Sequence, residues 1–148
     1  MLPACEHPNQ RRRGAAVVEL AVVLPLLTIL LLGVWEIGRM LEIQQVLDNG
    51  AREGGRQAVA RNLTNAQIAQ VVLDYLRDAG LPTAQAQVTV QDLDQPGTDA
   101  AAAARGDQMH VQVVLPLASV RLTNLYLVTG PTTQLTATAV WSSAKDPY

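Results

Sequence analysis

Few residues in this 148-residue chain have the type and spacing to do chemistry, and the densest group lies near its start. Arg11, Arg12, Arg13 and Gly14 are followed by Ala15-Ala16-Val17-Val18-Glu19 and then by a long apolar run. Three cations beside an apolar stretch orient a membrane segment, and a single carboxylate at its edge needs a partner. Other candidates are sparse. His110 lies on an alternating stretch, and a catalytic role would need a nucleophile and an orienting acid nearby. Ser119, Ser142 and Ser143 are not in a nucleophile-elbow context, so no catalytic residue and no enzyme activity are expected. The spacing of Asp92, Asp94 and Asp99 does not fit an EF-hand, and they read as a solvated loop. No metal site and no cofactor are expected. Arg105-Gly106-Asp107 matches a cell-adhesion tripeptide, for which chance in a glycine-containing loop is the plainer reading. Asn62-Leu63-Thr64 is a glycosylation sequon whose Thr64 is better used as a helix cap. Arg52, Glu53 and Arg56 read as a solvated helix face, with subunit register as the alternative.

Composition narrows the classes further. The net charge is −2, so no basic surface is available for phosphates and a nucleic-acid partner is not expected. The single cysteine, Cys5, excludes an intrachain disulfide and a Cys-based zinc site. Only 16% of residues are charged while 49% are hydrophobic, which makes the placement of the apolar residues decisive.

Residues 15 to 35 form one apolar run whose only charged residue is Glu19, and Glu36 closes it. Residues 20 to 35 would span about 24 Å as a helix and residues 15 to 35 about 31 Å, against a hydrocarbon core of roughly 30 Å. A comfortable span therefore includes Glu19 within its first turns, unless the helix starts at Leu20 and Glu19 sits among the headgroups. Geometry alone leaves both readings open. The Arg triplet precedes the run and only Arg39 follows closely, which puts the amino terminus in the cytoplasm and the remainder outside it. Trp35 stands where an interfacial anchor belongs. A secretory signal peptide would end in a small-x-small site, whereas this run ends Gly33-Val34-Trp35-Glu36.

The combination of Arg11-Arg12-Arg13-Gly14, Glu19 as the fifth residue after Gly14, and a long apolar helix resembles the type IV prepilin signal. The stretch Arg13 to Pro25, together with Gly33, Glu36, Gly38, Arg39 and Gln45 to Arg56, resembles TadE-like proteins, minor pseudopilins of the tight-adherence (Tad/Flp) pilus. The resemblance covers roughly residues 11 to 60. It implies cleavage between Gly14 and Ala15 by a membrane prepilin peptidase, a pilin-like fold, and packing against other pilins, pseudopilins and the Tad inner-membrane platform. Leu20 stands where an aromatic commonly follows the glutamate. The physics agrees with the implied cleavage. Ala15 and Glu19 are one helical turn apart, so the carboxylate could neutralise a new α-amine on its own chain or on a neighbouring subunit. Glycine resists helix continuation, and a protease needs extended backbone. Removing fourteen residues from 148 leaves 134, with a net charge of −4 and no cysteine.

The apolar pattern continues as Ile37, Met40, Ile43, Leu47, Ala51, Gly54 and Ala58, a helical stripe that predicts one helix from about Ala15 to Arg61. Pro25 should kink it, as a proline does in the buried half of pilins. Gly50 and Gly54 form a G-x-x-x-G that could admit another helix or could merely loosen this one. Thr64 and Gln67 fit a capping box, Ile68, Val71, Val72, Tyr75 and Leu76 share one face, and Gly80 and Pro82 end a second helix. Alternation then marks three strands around Val88–Val90, Met109–Leu115 and Leu135–Trp141, one antiparallel sheet with one buried face. Residues 94 to 107 read as a loop, and residues 117 to 131 as a loop or a short helical turn.

The expected class is α+β: a long transmembrane and amphipathic helix, a second helix, and a small antiparallel sheet. The expected organisation is a leader over 1–14, a membrane helix with its extension over 15–61, and an extracytoplasmic domain over 62–148. Two functions fit. One is a TadE-like minor pseudopilin of the inner membrane, contacting lipid and pilus components. The other is an uncleaved, signal-anchored extracytoplasmic binding or adaptor protein. The fate of the Gly14–Ala15 bond separates them.

Overall fold

The computed structural model describes residues 9–60, 62–120, 130 and 132–144, with side chains from Gly14 onward. Residues 1–8 of the expected leader and most of the ambiguous stretch 117–131 lie outside the described residues; within that stretch Leu117–Ser119 is a single 3-10 turn. Residue contacts divide the chain into two units, Met1–Gly38 and Arg39–Tyr148.

Helix α1 spans Asn9–Ala60. It begins about one and a half turns earlier than the sequence predicts and passes through Gly14 without a break. One glycine costs only about 1 kcal/mol in a helix, too little to end one this long when arginines, good helix formers, flank it. Pro25 also lies inside α1 and does not end it. A proline donates no hydrogen bond to the carbonyl four residues back, and a turn later the Thr28 hydroxyl donates to the Leu24 carbonyl at 2.8 Å.

Helix α2 spans Asn65–Asp78, and both of its ends are written in sequence. The Thr64 hydroxyl accepts from the Gln67 amide while the Gln67 side chain accepts from the Thr64 amide at 2.9 Å, a reciprocal capping box. At the other end Gly80 adopts φ +78°. The Gly80 amide donates to the Arg77 carbonyl and the Leu81 amide to the Leu76 carbonyl, both at 2.9 Å, which is a Schellman closure. Leu76 and Leu81, the apolar pair of that motif, are both buried.

The strands are β1 (Gln87–Asp92), β2 (Gln108–Pro116) and β3 (Gln134–Ser142), in an antiparallel sheet of order β1-β2-β3. Val90 pairs with Val111 and Val111 with Ala139, so the inward rows align across all three strands. Met109, Val111, Val113 and Leu115 are buried with Leu135, Ala137 and Ala139, against Ile43, Leu47, Ala51 and Ala58 of α1 and Ile68, Val72 and Leu76 of α2. His110 lies on the opposite, outer face of β2, as its alternation predicts.

The glycine pair on α1 admits the helix that follows it in sequence. A methyl group on Gly54 would lie 2.5 Å from Val72 Cγ2, and one on Gly50 3.3 Å from Tyr75 Cδ1 and 3.4 Å from Leu76 Cδ2. Gly55 meets the Trp141 ring in the same way. Small residues let backbones approach closely, and here the G-x-x-x-G serves packing in the Arg39–Tyr148 unit. Gly54→Ala should therefore destabilise the detergent-solubilised full chain by about 1–3 kcal/mol in urea unfolding, because the added carbon overpacks the contact with Val72. Gly38→Ala, which meets nothing within 4 Å, should be neutral or stabilising by up to about 1 kcal/mol in the same assay.

Candidate assembly segment

The amino-terminal half of α1 carries the sequence-predicted site residues, and among those whose side chains are described it buries none. Val17, Val18, Leu20, Val22, Leu26, Leu30 and Val34 are all at least half exposed. The apolar window of this helix has a mean hydropathy of 2.7 and is 0% buried within the protein. Such a surface in water would cost roughly 1.5–3 kcal/mol for each large side chain left uncovered, so lipid or other helices must cover it. Among the described residues, this is the helix long and apolar enough to cross a membrane. Its length and apolarity suit a membrane anchor.

Gly14, Ala15 and Glu19 lie on consecutive turns of α1, all exposed. Helical geometry puts Ala15 and Glu19 on one face, one turn apart. No hydrogen bond or ion pair reaches the Glu19 carboxylate from the described residues. Arg11, Arg12 and Arg13 continue the helix on its amino-terminal side; their side chains are outside the described residues. The structure thus puts Arg11 to Arg13, Gly14, Ala15 and Glu19 on one helix, whereas the sequence predicts a helix only from about Ala15.

The other candidates resolve into structural roles. Asp92 corrects the expectation of a solvated acidic loop. It ends β1 opposite Met109, facing inward, and is 1% exposed. One of its carboxylate oxygens accepts from the Asp94 and Gln95 amides, both at 2.9 Å, and the other is buried without a partner. The period-two pattern that places Val88 and Val90 inward extends to Asp92, and that continuation was the signal available in the sequence. Asp94 accepts from the Gln108 amide at 2.6 Å. Asp99 accepts from the Ala101 and Asn65 amides, while the Asn65 side chain accepts from the Ala100 amide at 2.9 Å. That exchange ties the start of α2 to a 3-10 turn, Ala100–Ala102, which buries Ala100 and Ala103 in the core. The stretch 94–107 is therefore more structured than its composition predicts. Among the described residues, no three His, Cys, Asp or Glu side chains are placed to share a metal ion. A cleft of about 270 Å³ lined by Asn65, Val90, Asp92 and Pro96 falls below the range of ordinary ligand pockets.

Arg105-Gly106-Asp107 closes a turn rather than presenting an acid. Gly106 has φ +96° and donates to the Ser143 carbonyl, and Asp107 accepts from the Ala104 amide at 2.7 Å and the Gln95 side chain at 3.2 Å. On α1, Arg56 makes a two-pronged contact with Glu53 at 2.9 and 2.7 Å, and Gln57 adds a third bond to the same carboxylate. Hydrogen bonding to Glu53, and then its charge, hold the Arg56 guanidinium above its ordinary pKa. Arg56 is exposed and Glu53 half-buried, at the edge of the solvated face that the sequence predicts.

Residues 14–56 match the family model described as TadE-like protein. The match begins at Gly14 and takes in Glu19, Pro25, the exposed apolar surface and the glycine pair. The match covers 43 of the 148 residues. No curated protein and no solved structure matches the chain.

If the apolar surface is a membrane anchor, the double substitution Leu27→Lys/Leu31→Lys should release the protein. Each lysine at mid-span costs about 2.5–3.5 kcal/mol on the insertion scale. The wild type should stay in the membrane pellet after alkaline carbonate extraction, and most of the variant should move to the supernatant.

Proposed function

We propose, proceeding from the TadE-like character of residues 14–56, that the chain is a minor pseudopilin of a Tad/Flp pilus, cut by a prepilin peptidase between Gly14 and Ala15. One observation carries this reading. Arg11 to Arg13, Gly14, Glu19 and an uncovered apolar surface lie in register on a single helix, α1, whose remainder packs into a small α+β unit. The triplet holds the leader in the cytoplasm and places the folded unit on the far side of the inner membrane. Cleavage frees an α-amine at Ala15. Glu19 then compensates that amine, in its own chain while in lipid and in a neighbouring subunit during assembly. A carboxylate with such a partner escapes most of the cost of burial alone. The apolar half of α1 exchanges lipid contacts for contacts with other pilin-type helices, and no catalytic step by this chain is involved.

The uncleaved, signal-anchored adaptor remains the competing reading, and the helical state of Gly14 favours it. A peptidase acting there has to unwind about a turn of α1, which the glycine makes cheaper.

Intact-mass and amino-terminal analysis of protein from membranes and from sheared surface fractions separates the two. The pseudopilin reading expects a chain beginning at Ala15, a Gly14→Val variant that keeps its leader, and a Glu19→Ala variant that is cut but depleted from the sheared fraction at least several-fold. Wild-type protein that retains residues 1–14 in every fraction would overturn it.

A further inference from the structure

Among the described residues the sheet has two edges, and they are built differently. Edge β1 is six residues long, ends in the inward-facing, buried carboxylate of Asp92, and lies beside α2. Short length and inward charge are devices that discourage further pairing. Edge β3 reads Gln-Leu-Thr-Ala-Thr-Ala-Val-Trp-Ser, nine residues with no charge and no proline. It carries none of these devices.

Hydrogen bonding at the two ends of β3 shows which of its main-chain groups face outward. The Ser143 amide donates to the Asp107 carbonyl and the Ser143 carbonyl accepts from the Gly106 amide, both at 2.8 Å. At the other end the Leu117 amide donates to the Thr133 carbonyl at 2.9 Å. Odd-numbered residues of β3 therefore bond to β2, and even-numbered residues direct their amides and carbonyls to the open side. The Thr136 carbonyl is one of these, and Gln44 of α1 already donates to it at 3.0 Å. Beyond Thr136, Thr138, Val140 and Ser142 form a run of three with main-chain groups that bond to no described residue; Gln134, on the other side of Thr136, is the fourth. Val140 is 53% exposed and Trp141 37% exposed.

We propose that this edge pairs with the same edge of a second copy of the chain, antiparallel and two-fold symmetric about Val140, giving a continuous six-stranded sheet. The register follows from the free groups. An axis at Val140 matches Thr138 with Ser142 of the other copy and Val140 with itself, using that run of three and leaving Thr136 to Gln44. The same register sets Ala139 opposite Trp141 of the other copy on the inner face, a small residue against a large one, twice. On the outer face it sets hydroxyl against hydroxyl and valine against valine, with no like charges opposed. An axis at Thr138 would instead pair Val140 with Thr136, whose carbonyl is taken. A strand adding to an exposed edge gains main-chain hydrogen bonds, and an uncharged edge is complementary to itself without a charged partner.

Cross-linking in membranes containing the full chain tests the register. In a Cys5→Ser background, Val140→Cys places two thiols on the axis, with Cα atoms about 5.5 Å apart and so within disulfide range. Mild oxidation should convert it to a covalent dimer, with at least tenfold less dimer from Thr136→Cys. Thr138→Cys and Ser142→Cys should each cross-link poorly alone and well when co-expressed. Thr138→Pro, which removes an outward amide and no ladder bond, should lower the Val140→Cys dimer at least tenfold. Absence of dimer from Val140→Cys, equal yields from Thr136→Cys and Val140→Cys, or no gain on mixing Thr138→Cys with Ser142→Cys would overturn the proposal. Both cysteine results stand without the proline variant if that variant fails to fold.

Discussion

Missing side chains on α1 govern the packing of the Arg39–Tyr148 unit. Gly50 and Gly54 let Val72, Tyr75 and Leu76 of α2 rest nearly on the α1 backbone, and Gly55 receives the Trp141 ring of β3. Helix and sheet thus both close on the same turn and a half of α1. Once α2 is seated there, its first residue, Asn65, is placed to exchange hydrogen bonds with Asp99 and Ala100. That exchange orders the connection between β1 and β2 and turns Ala100 and Ala103 into core residues. The chain of dependence runs from three absent carbons to a loop some forty residues away.

The two halves of α1 are built for different surroundings. From Val17 to Ile37 its large apolar residues are exposed on all sides, a composition that only lipid or other helices can cover. From Ile43 to Ala58 the apolar residues narrow to a stripe against the core, and the opposite face carries Glu53 paired with Arg56. The low charged fraction of the chain reflects the first regime, and the amphipathic stripe reflects the second.

The acidic residues after β1 illustrate how a cluster can look like a binding site and be spent on the backbone. Asp92, Asp94, Asp99 and Asp107 each accept main-chain amides, which close the turns between β1 and β2. Asp92 also marks β1 as an edge that resists extension, whereas β3 leaves its outward groups to another strand.

Periodicity and local chemistry made most of the elements legible. The anchor, the capping box at Thr64, the stop at Gly80 and all three strands depend on residues within a few positions of one another, and local physics is additive along a chain. The order of Arg11 to Arg13, Gly14, Glu19 and the apolar run was legible for the same reason, since these residues are close together in sequence, but the helical state of Arg11 to Gly14 was not. Sequence could not distinguish the two meanings of Gly50 and Gly54, because a glycine pair does not specify what approaches it. Nor could it show two of the five alanines after Asp99 in the core, because that outcome depends on Asn65 arriving from more than thirty residues away. The helical start at Asn9 escaped it as well, because a single glycine's preference is outweighed by the cooperativity of a long helix. Contacts close in sequence were written in the residues themselves; contacts between distant segments existed only once the fold had paired them.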